Sequence, residues 1–207
     1  MLLIEDFPDD YSGEGSHRGD YYMETSNELI EIKKNLKPGH VVHTLYSEHD
    51  MILDFLSELE KTNQNIQKME NYDKEKEEFK KLKNIAEHLV GAEPHHKREE
   101  DVLFPEIERR GVLGPTEVMR MEHQDLRKNK KELKNLAETA EKDNFNDFKK
   151  KLDAVAKNIV SVLSEHISKE NNILYPAALE VISDEKTWQI MKNECDKIGY
   201  CCFTPTP

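Results

Sequence analysis

The chain carries two copies of one short motif, and this duplication constrains its fold more than any other feature. The motif is His-x-x-[Lys/Arg]-Glu-x-x-[Val/Ile]-Leu-[Phe/Tyr]-Pro, and it occupies residues 95–105 and 166–176. A Glu-His pair precedes each copy, at residues 48–49 and 122–123. The offsets nearly agree, because 166 − 95 = 71 and 123 − 49 = 74. We infer a duplicated unit of about that length.

Each unit is predicted to be two helices joined by a short turn. Apolar residues recur at helical spacing at residues 43–66, from residue 73 through the first motif, at 115–142 and at 144–179. A Gly-Ala-Glu-Pro sequence at residues 91–94 predicts a break or kink in the second segment. Because the pattern of helix, turn and helix occurs twice, the sequence predicts an all-α, up-down-up-down four-helix bundle.

Shorter segments flank the predicted bundle. The expected divisions are a leader with a short accessory helix at 1–39, the bundle at 40–182, and a C-terminal helix and tail packed on it at 183–207. The accessory helix is expected over residues 26–36, where apolar residues recur before a Lys-Pro-Gly sequence. The last helix is expected over 183–197, with Ser183 as its N-cap and Gly199 at its end.

Composition argues against several partner classes. A net charge of −12 argues against nucleic acid and anionic membrane surfaces as partners. No run of about 18 apolar residues predicts a transmembrane helix, and the N-terminus lacks the pattern of a signal peptide. The three cysteines, Cys195, Cys201 and Cys202, are too few and too clustered for a disulfide framework. A cytoplasmic location is therefore expected.

The repeated motif predicts a site for two metal ions. His and Glu four residues apart project from the same face of a helix, about 6 Å apart along its axis. Two such pairs and two single histidines would meet inside the bundle. The predicted ligands are His49, His95, Glu99, His123, His166 and Glu170. If each ion takes two histidines, both carboxylates and one oxo or hydroxo bridge, an octahedral ion keeps one open position for a small diatomic molecule. Nitrogen and oxygen donors without thiolate favour iron or manganese over zinc.

Two alternatives remain open at this point. If Glu99 and Glu170 turned to solvent, the pairs would be ordinary surface contacts of small energetic value. His96 and Glu100 have the same spacing as His95 and Glu99, but aligning the two Leu-aromatic-Pro sequences selects His95. His96 and Glu100 are then expected to face outward or to support the ligands from outside. The same alignment places residues 102 and 173 on the inward face. Glu48 and Glu122 stand beside the single histidines and not one helical turn away, so they are candidates for hydrogen bonds to ligand histidines and not for direct coordination.

These motifs resemble the hemerythrin-like (HHE cation-binding) family over residues 40–180. Oxygen-carrying members use five histidines, whereas this chain has Met119 where a second third-helix histidine would stand. Its set of four histidines and two glutamates is similar to that of the repair-of-iron-centres proteins, which carry a non-haem di-iron site and are linked to nitrosative and oxidative stress. Residues 36–40, 111–123 and 198–200 also resemble a branch often fused to PAS sensor modules. Members of that branch differ from this chain near His49, which leaves His43 and then His40 as alternative first-helix ligands.

The resemblance implies a non-haem di-iron protein that binds or senses O2 or NO, or responds to oxidative or nitrosative stress. Two iron ions joined by an oxo or hydroxo bridge are the expected cofactor, with manganese or zinc as alternatives. The competing functions are an iron-centre repair protein or a redox enzyme acting on NO or peroxide, and a bundle that metal merely stabilises. The sequence leaves open whether the protein is an enzyme, and it identifies no protein partner.

Overall fold

A computed structural model describes residues 31–141 and 144–205 of the chain. Contacts divide the chain into two units, Met1–Asn35 and Leu36–Pro207. In the first unit, residues 31–35 are described and are helical, in agreement with the end of the predicted accessory helix. The predicted leader and the start of that helix lie outside the described residues. All regular secondary structure in the described residues is helical, which confirms the predicted fold class.

The second unit is built from long helices with short ones at their ends. These are α1 (Val41–Gln67), α2 (Glu77–Gly91), α3 (Glu93–Arg98), α4 (Phe104–Glu108), α5 (Gly114–Thr139), α6 (Phe145–Lys169), α7 (Tyr175–Val181) and α8 (Glu185–Ile198). Two π-helical turns, Glu99–Leu103 and Glu170–Leu174, join α3 to α4 and α6 to α7.

Four helical rods form the bundle: α1, α2 with its continuation α3, α5, and α6. Helix α1 packs against α2 and α6, and α5 packs against the same two helices. Because short turns connect the rods, neighbours in the chain run antiparallel. Away from the motifs, their inward faces form an apolar core that includes Leu56, Leu59, Leu82, Leu133, Phe148, Leu152 and Ile159. Burial of these side chains stabilises the bundle and fixes the relative placement of the motif residues at its other end.

The predicted break in the second rod is observed at a single residue. Helix α2 ends at Gly91 and α3 begins at Glu93, so Ala92 interrupts the rod. Pro94 lies in the first turn of α3, where its missing N–H group has no intrahelical partner to lose. The first motif therefore begins on a short helix whose direction is set separately from that of α2.

The π-helical turns explain how each motif tolerates its final proline. A proline inside an α-helix lacks an N–H and clashes with the carbonyl four residues earlier. Here the Phe104 N–H bonds the Glu99 carbonyl, and the Tyr175 N–H bonds the Glu170 carbonyl, both five residues back. Each wider turn shifts the following side chains around the helix by one residue. Residues 102 and 173, which lie at the same place in the two π-helical turns, were both predicted to face inward. Val102 is buried, as predicted, whereas the prediction for Ile173 is wrong, since this residue is 50% exposed.

Helix α8 covers one side of the motif end. It contacts α3, α1 and the first π-helical turn, and it buries Trp188, Met191 and Cys195. Its N-cap is Asp184, which accepts a bond from the Thr187 N–H, and not the predicted Ser183. Gly199 ends it with a φ of 92°, a conformation that glycine adopts at low cost. Among the described residues, no helix combines the length and apolar character needed to cross a bilayer.

Candidate metal centre

Seven buried histidine and glutamate side chains converge between the four rods. They form two groups in which the donor atoms lie within 4.8 Å of one another. One group, here called the His49 position, is His49, His95, Glu99 and Glu170. The other, the His123 position, is His96, His123 and His166. All six residues predicted as ligands are therefore brought together, with one additional histidine.

Glu170 lies between the two positions. Its Oε2 is 3.2 Å from Nε2 of His49, whereas its Oε1 is 3.1 Å from Nε2 of His166 and 3.5 Å from Nε2 of His123. Glu99 is shared in a similar way, because its Oε2 is 3.5 Å from Nε2 of both His95 and His123. Both carboxylates thus face histidines from two positions, as bridging ligands would.

Several of these buried atoms have no hydrogen-bond partner. They are Nε2 of His95, Nδ1 of His96, Oε2 of Glu99, and both carboxylate oxygens of Glu170. A buried carboxylate without compensation is costly, and five such atoms around one point are not what a core packed for stability contains. Cations would supply the missing partners. Imidazole nitrogens and carboxylate oxygens are a donor set that iron or manganese fits well.

A hydrogen bond donated by Nδ1–H orients each of the four histidines that the sequence predicts as ligands. Oε2 of Glu48 is 2.6 Å from His95 Nδ1, and Oε2 of Glu122 is 2.7 Å from His166 Nδ1. For the other two, Oε1 of Glu100 is 2.8 Å from His123 Nδ1, and Oδ1 of Asn171 is 2.7 Å from His49 Nδ1. With Nδ1–H donated outward, Nε2 is left to face the centre, which is the arrangement of metal-binding histidines. The suggested supporting roles of Glu48 and Glu122 are thus matched by contacts, although each glutamate serves a histidine of the next rod and not its own neighbour.

The basic residue of each motif holds the supporting glutamate. Arg98 donates from one guanidinium nitrogen to both oxygens of Glu48, at 2.6 and 2.5 Å. Lys169, at the equivalent place in the second copy, donates to Oε1 of Glu122. The sequence contains this signal as a basic residue at the fourth place of both copies, but sequence alone does not reveal which side chain that residue contacts.

Charges around the centre keep the supporting carboxylates ionised. Burial alone would raise the pKa of Glu48, but His95 and Arg98 hold it at about 2. Partial burial would likewise raise the pKa of Glu100, but His123 and Arg127 lower it to about 2. Burial lowers the pKa of His95 to about 4, so its ring is neutral at pH 7 and its Nε2 lone pair is available.

The two central carboxylates differ from each other: against the cost of burial, His166, His123 and His49 hold the pKa of Glu170 well below its usual range. Burial, reinforced by the nearby charge of Glu170, raises the pKa of Glu99 well above its usual range. Without added positive charge, this cavity therefore resists holding two carboxylate charges at once. Divalent or trivalent cations would remove that resistance.

Glu100 supports His123 from outside the donor groups, which is one of the two placements predicted from the alignment, but His96 does not face outward. Its side chain is buried, and its ring stacks on that of His123 with centroids 4.0 Å apart. Adjacent residues on α3 project about 100° apart, so His95 turns toward Glu48 on α1 while His96 turns toward α5. Its Nε2 is 3.3 Å from Nζ of Lys130, a buried lysine that sequence reasoning did not identify. Burial lowers the pKa of Lys130 to about 8.

The alternative first-helix histidines do not join the centre. His40 caps α1 by accepting a bond from the Val42 N–H, and its ring packs against Trp188. His43 is half-buried and belongs to neither donor group among the described residues. His88 stacks on Phe55, away from both groups. Of the histidines on α1, His49 alone is within the described donor groups.

Residues 40–178 match the family model described as the hemerythrin HHE cation binding domain. This match spans more than half of the chain and includes both motifs and every donor named above. No curated protein matches the chain.

Proposed function

The chain belongs to the hemerythrin HHE cation-binding domain family, and from this premise we propose that it is a non-haem di-iron protein that binds or senses O2 or NO. The observation that supports two ions is the division of Glu170 between two groups of histidines, with one oxygen toward His49 and the other toward His166. A single ion would leave one of these groups without a partner.

The ligands divide unequally between the two positions in this proposal. The two bridging carboxylates are common to both. His49 and His95 complete the His49 position, whereas His96, His123 and His166 complete the His123 position. If one further bridging oxygen were present, an octahedral ion held at the His123 position would be saturated, and one held at the His49 position would keep one open place. When bound, the iron pair would supply that open coordination position and the electrons for reversible binding of O2 or NO.

Tyr175 is placed to contact a small ligand at the His49 position. Its hydroxyl donates to Glu99 Oε1 at 2.6 Å and lies 3.4 Å from His49 Nε2. Burial and the neighbouring carboxylates raise its pKa well above the usual range, so the hydroxyl keeps its proton and remains a donor. The buried rings of Tyr46 and Phe104 line the same end of the bundle and limit the access of water.

The five-histidine set bears on the subtype. The likeness to repair-of-iron-centres proteins rested on four histidines and two glutamates. With His96 as a ligand, this chain would instead have the histidine number of oxygen-carrying members, with the fifth histidine on the second rod. We therefore favour reversible binding or sensing of a diatomic gas over iron-centre repair.

Metal content and gas addition test the proposal. Protein purified without added metal should contain about two iron ions per chain by elemental analysis. Anaerobic ferrous protein should then give a stable, reversible absorbance change with O2 or NO. Consumption of NO or peroxide with turnover would favour an enzyme, and two ions with no spectral response would favour a structural role. A chain that takes up no iron under any loading condition would contradict the proposal.

A further inference from the structure

Residues 199–205, which follow α8, contact the groups that orient His95. The Thr204 hydroxyl donates to Oε1 of Glu48 at 2.5 Å. The Arg98 guanidinium lies over the ring of Tyr200, 4.7 Å from its centroid. Cys201 is buried beside Glu48 and Arg98. The C-terminal segment therefore closes the outer side of the Glu48–Arg98 pair.

Glu48 is completely buried, and hydrogen bonds hold both oxygens of its carboxylate. It receives the His95 ring N–H, two bonds from Arg98 and the Thr204 hydroxyl. A buried carboxylate that loses one such donor gains an unsatisfied lone pair, and the group tends to move toward another partner. Any such movement would change the orientation of the His95 ring, because Glu48 holds its Nδ1.

The equivalent glutamate in the second half is held differently. The hydrogen bonds described for Glu122 come from His166 and Lys169, both on α6. Its side chain is 23% exposed, so water can donate hydrogen bonds to the remaining lone pairs of the carboxylate. The two halves of the centre thus match in their supporting glutamates and in the basic partners of those glutamates, but the C-terminal segment contacts one half.

We propose that residues 199–205 are a working part of the His49 position, with Thr204 as a positioning residue that acts through Glu48 on His95. This inference rests on the proposed binding of two ions. It implies that the segment slows metal loss from the His49 position and leaves the His123 position unaffected. By reciprocity, an ion bound through His95 also holds the segment in place.

Metal release from matched variants tests the inference. Protein loaded with two ferrous ions under anaerobic conditions is mixed with excess chromogenic chelator, and the two release phases are followed. Thr204→Val should accelerate one phase about tenfold, at the lower end of the effect of losing an outer hydrogen-bond partner. Thr204→Ser, which keeps the hydroxyl, should restore the wild-type rate. Lys169→Met, in the other half, should accelerate the other phase.

A second measurement separates positioning from general destabilisation. Amide hydrogen exchange of residues 199–205 should slow when metal binds to the wild type, and this protection should be reduced in Thr204→Val. Metal-free Thr204→Val should still unfold cooperatively, with a Tm only a few degrees below that of the metal-free wild type, because one buried carboxylate loses one hydrogen-bond donor. Equal acceleration of both phases, or unchanged release in Thr204→Val from a wild type that binds two ions, would overturn this inference alone. A wild type that binds no ions would overturn the proposed function and this inference with it.

Discussion

Glu48 precedes His49 in the chain, yet its carboxylate holds His95 on the next rod, with 2.6 Å between Oε2 and Nδ1. The second half repeats this relationship, since Glu122 precedes His123 and holds His166 at 2.7 Å. The two residues of each Glu-His pair therefore serve different parts of the centre. The histidine is a candidate ligand, and the glutamate orients a ligand that comes from a different helix.

Removing either supporting charge should weaken metal binding. Glu48→Gln and Glu122→Gln should each lower iron affinity by roughly 10–100-fold, because the partnered histidine loses its fixed orientation and part of its basicity. Affinity can be measured by competition with a chelator of known strength. Glu60→Gln, at an exposed position of α1, is the matched control and should bind as the wild type does. Equal affinity in all three variants would contradict the assigned role of the Nδ1 contacts.

The two central carboxylates should be indispensable. Glu99→Ala combined with Glu170→Ala removes both groups that face the two positions, so the double variant should contain no iron by elemental analysis. Iron addition should raise the Tm of the wild type through ligand linkage and leave the Tm of the double variant unchanged. Full iron content in the double variant would refute the bridging roles.

His96 offers a direct test of the ligand set. His96→Ala should lower the iron content toward one ion per chain or accelerate loss of one ion, because it removes one of three imidazoles from the His123 position. His88→Ala should keep two ions, since the His88 ring stacks on Phe55 outside both groups. If the iron content of His96→Ala equals that of the wild type, His96 supports the centre without binding metal.

The three cysteines should differ sharply in reactivity. Burial raises the pKa of Cys195 to about 11 and that of Cys201 to about 12. At pH 8, below both values, at most about one in a thousand of these thiols is ionised, and a disulfide reagent attacks the thiolate. Cys202 is exposed. Folded protein at pH 8 should therefore release about one equivalent of chromophore quickly, and three after denaturation.

Cys202→Ser provides the control for that experiment. The rapid phase should disappear in this variant, and reaction of the two remaining thiols should speed up as the pH rises toward 11. Two or more fast equivalents from the folded wild type at pH 8 would show that the docking of residues 199–205 is looser than the structure indicates.

Much of the centre follows from the repeated motif. The four rods, the break before Pro94 and the six originally predicted donors could be found from periodicity and from alignment of the two copies. These features depend on the local sequence and on the regular period of a helix, so they do not require knowledge of how distant residues pack. The burial of Glu99 and Glu170 could also be predicted, because two matched copies of a His-x-x-x-Glu pattern favour a shared interior site over unrelated surface pairs.

Tyr175 shows where this reasoning fails. Nine residues after His166, a regular helix would place Tyr175 about 180° away from it. The π-helical turn Glu170–Leu174 sets that phase back by about one residue, and the Tyr175 hydroxyl reaches Glu99. His96 was misplaced for a related reason, because the direction of α3 after the Ala92 break decides which neighbouring rods its two faces meet. Neither shift is encoded in spacing alone.

The sharing of the carboxylates has a consequence for the origin of the chain. Glu99 belongs to the first repeated unit but approaches His123 of the second, and Glu170 belongs to the second but approaches His49 of the first. A solitary ancestral unit would thus have carried an incomplete set of donors. Two identical copies related by a twofold axis would have completed it, so duplication and fusion of one unit would preserve both donor groups.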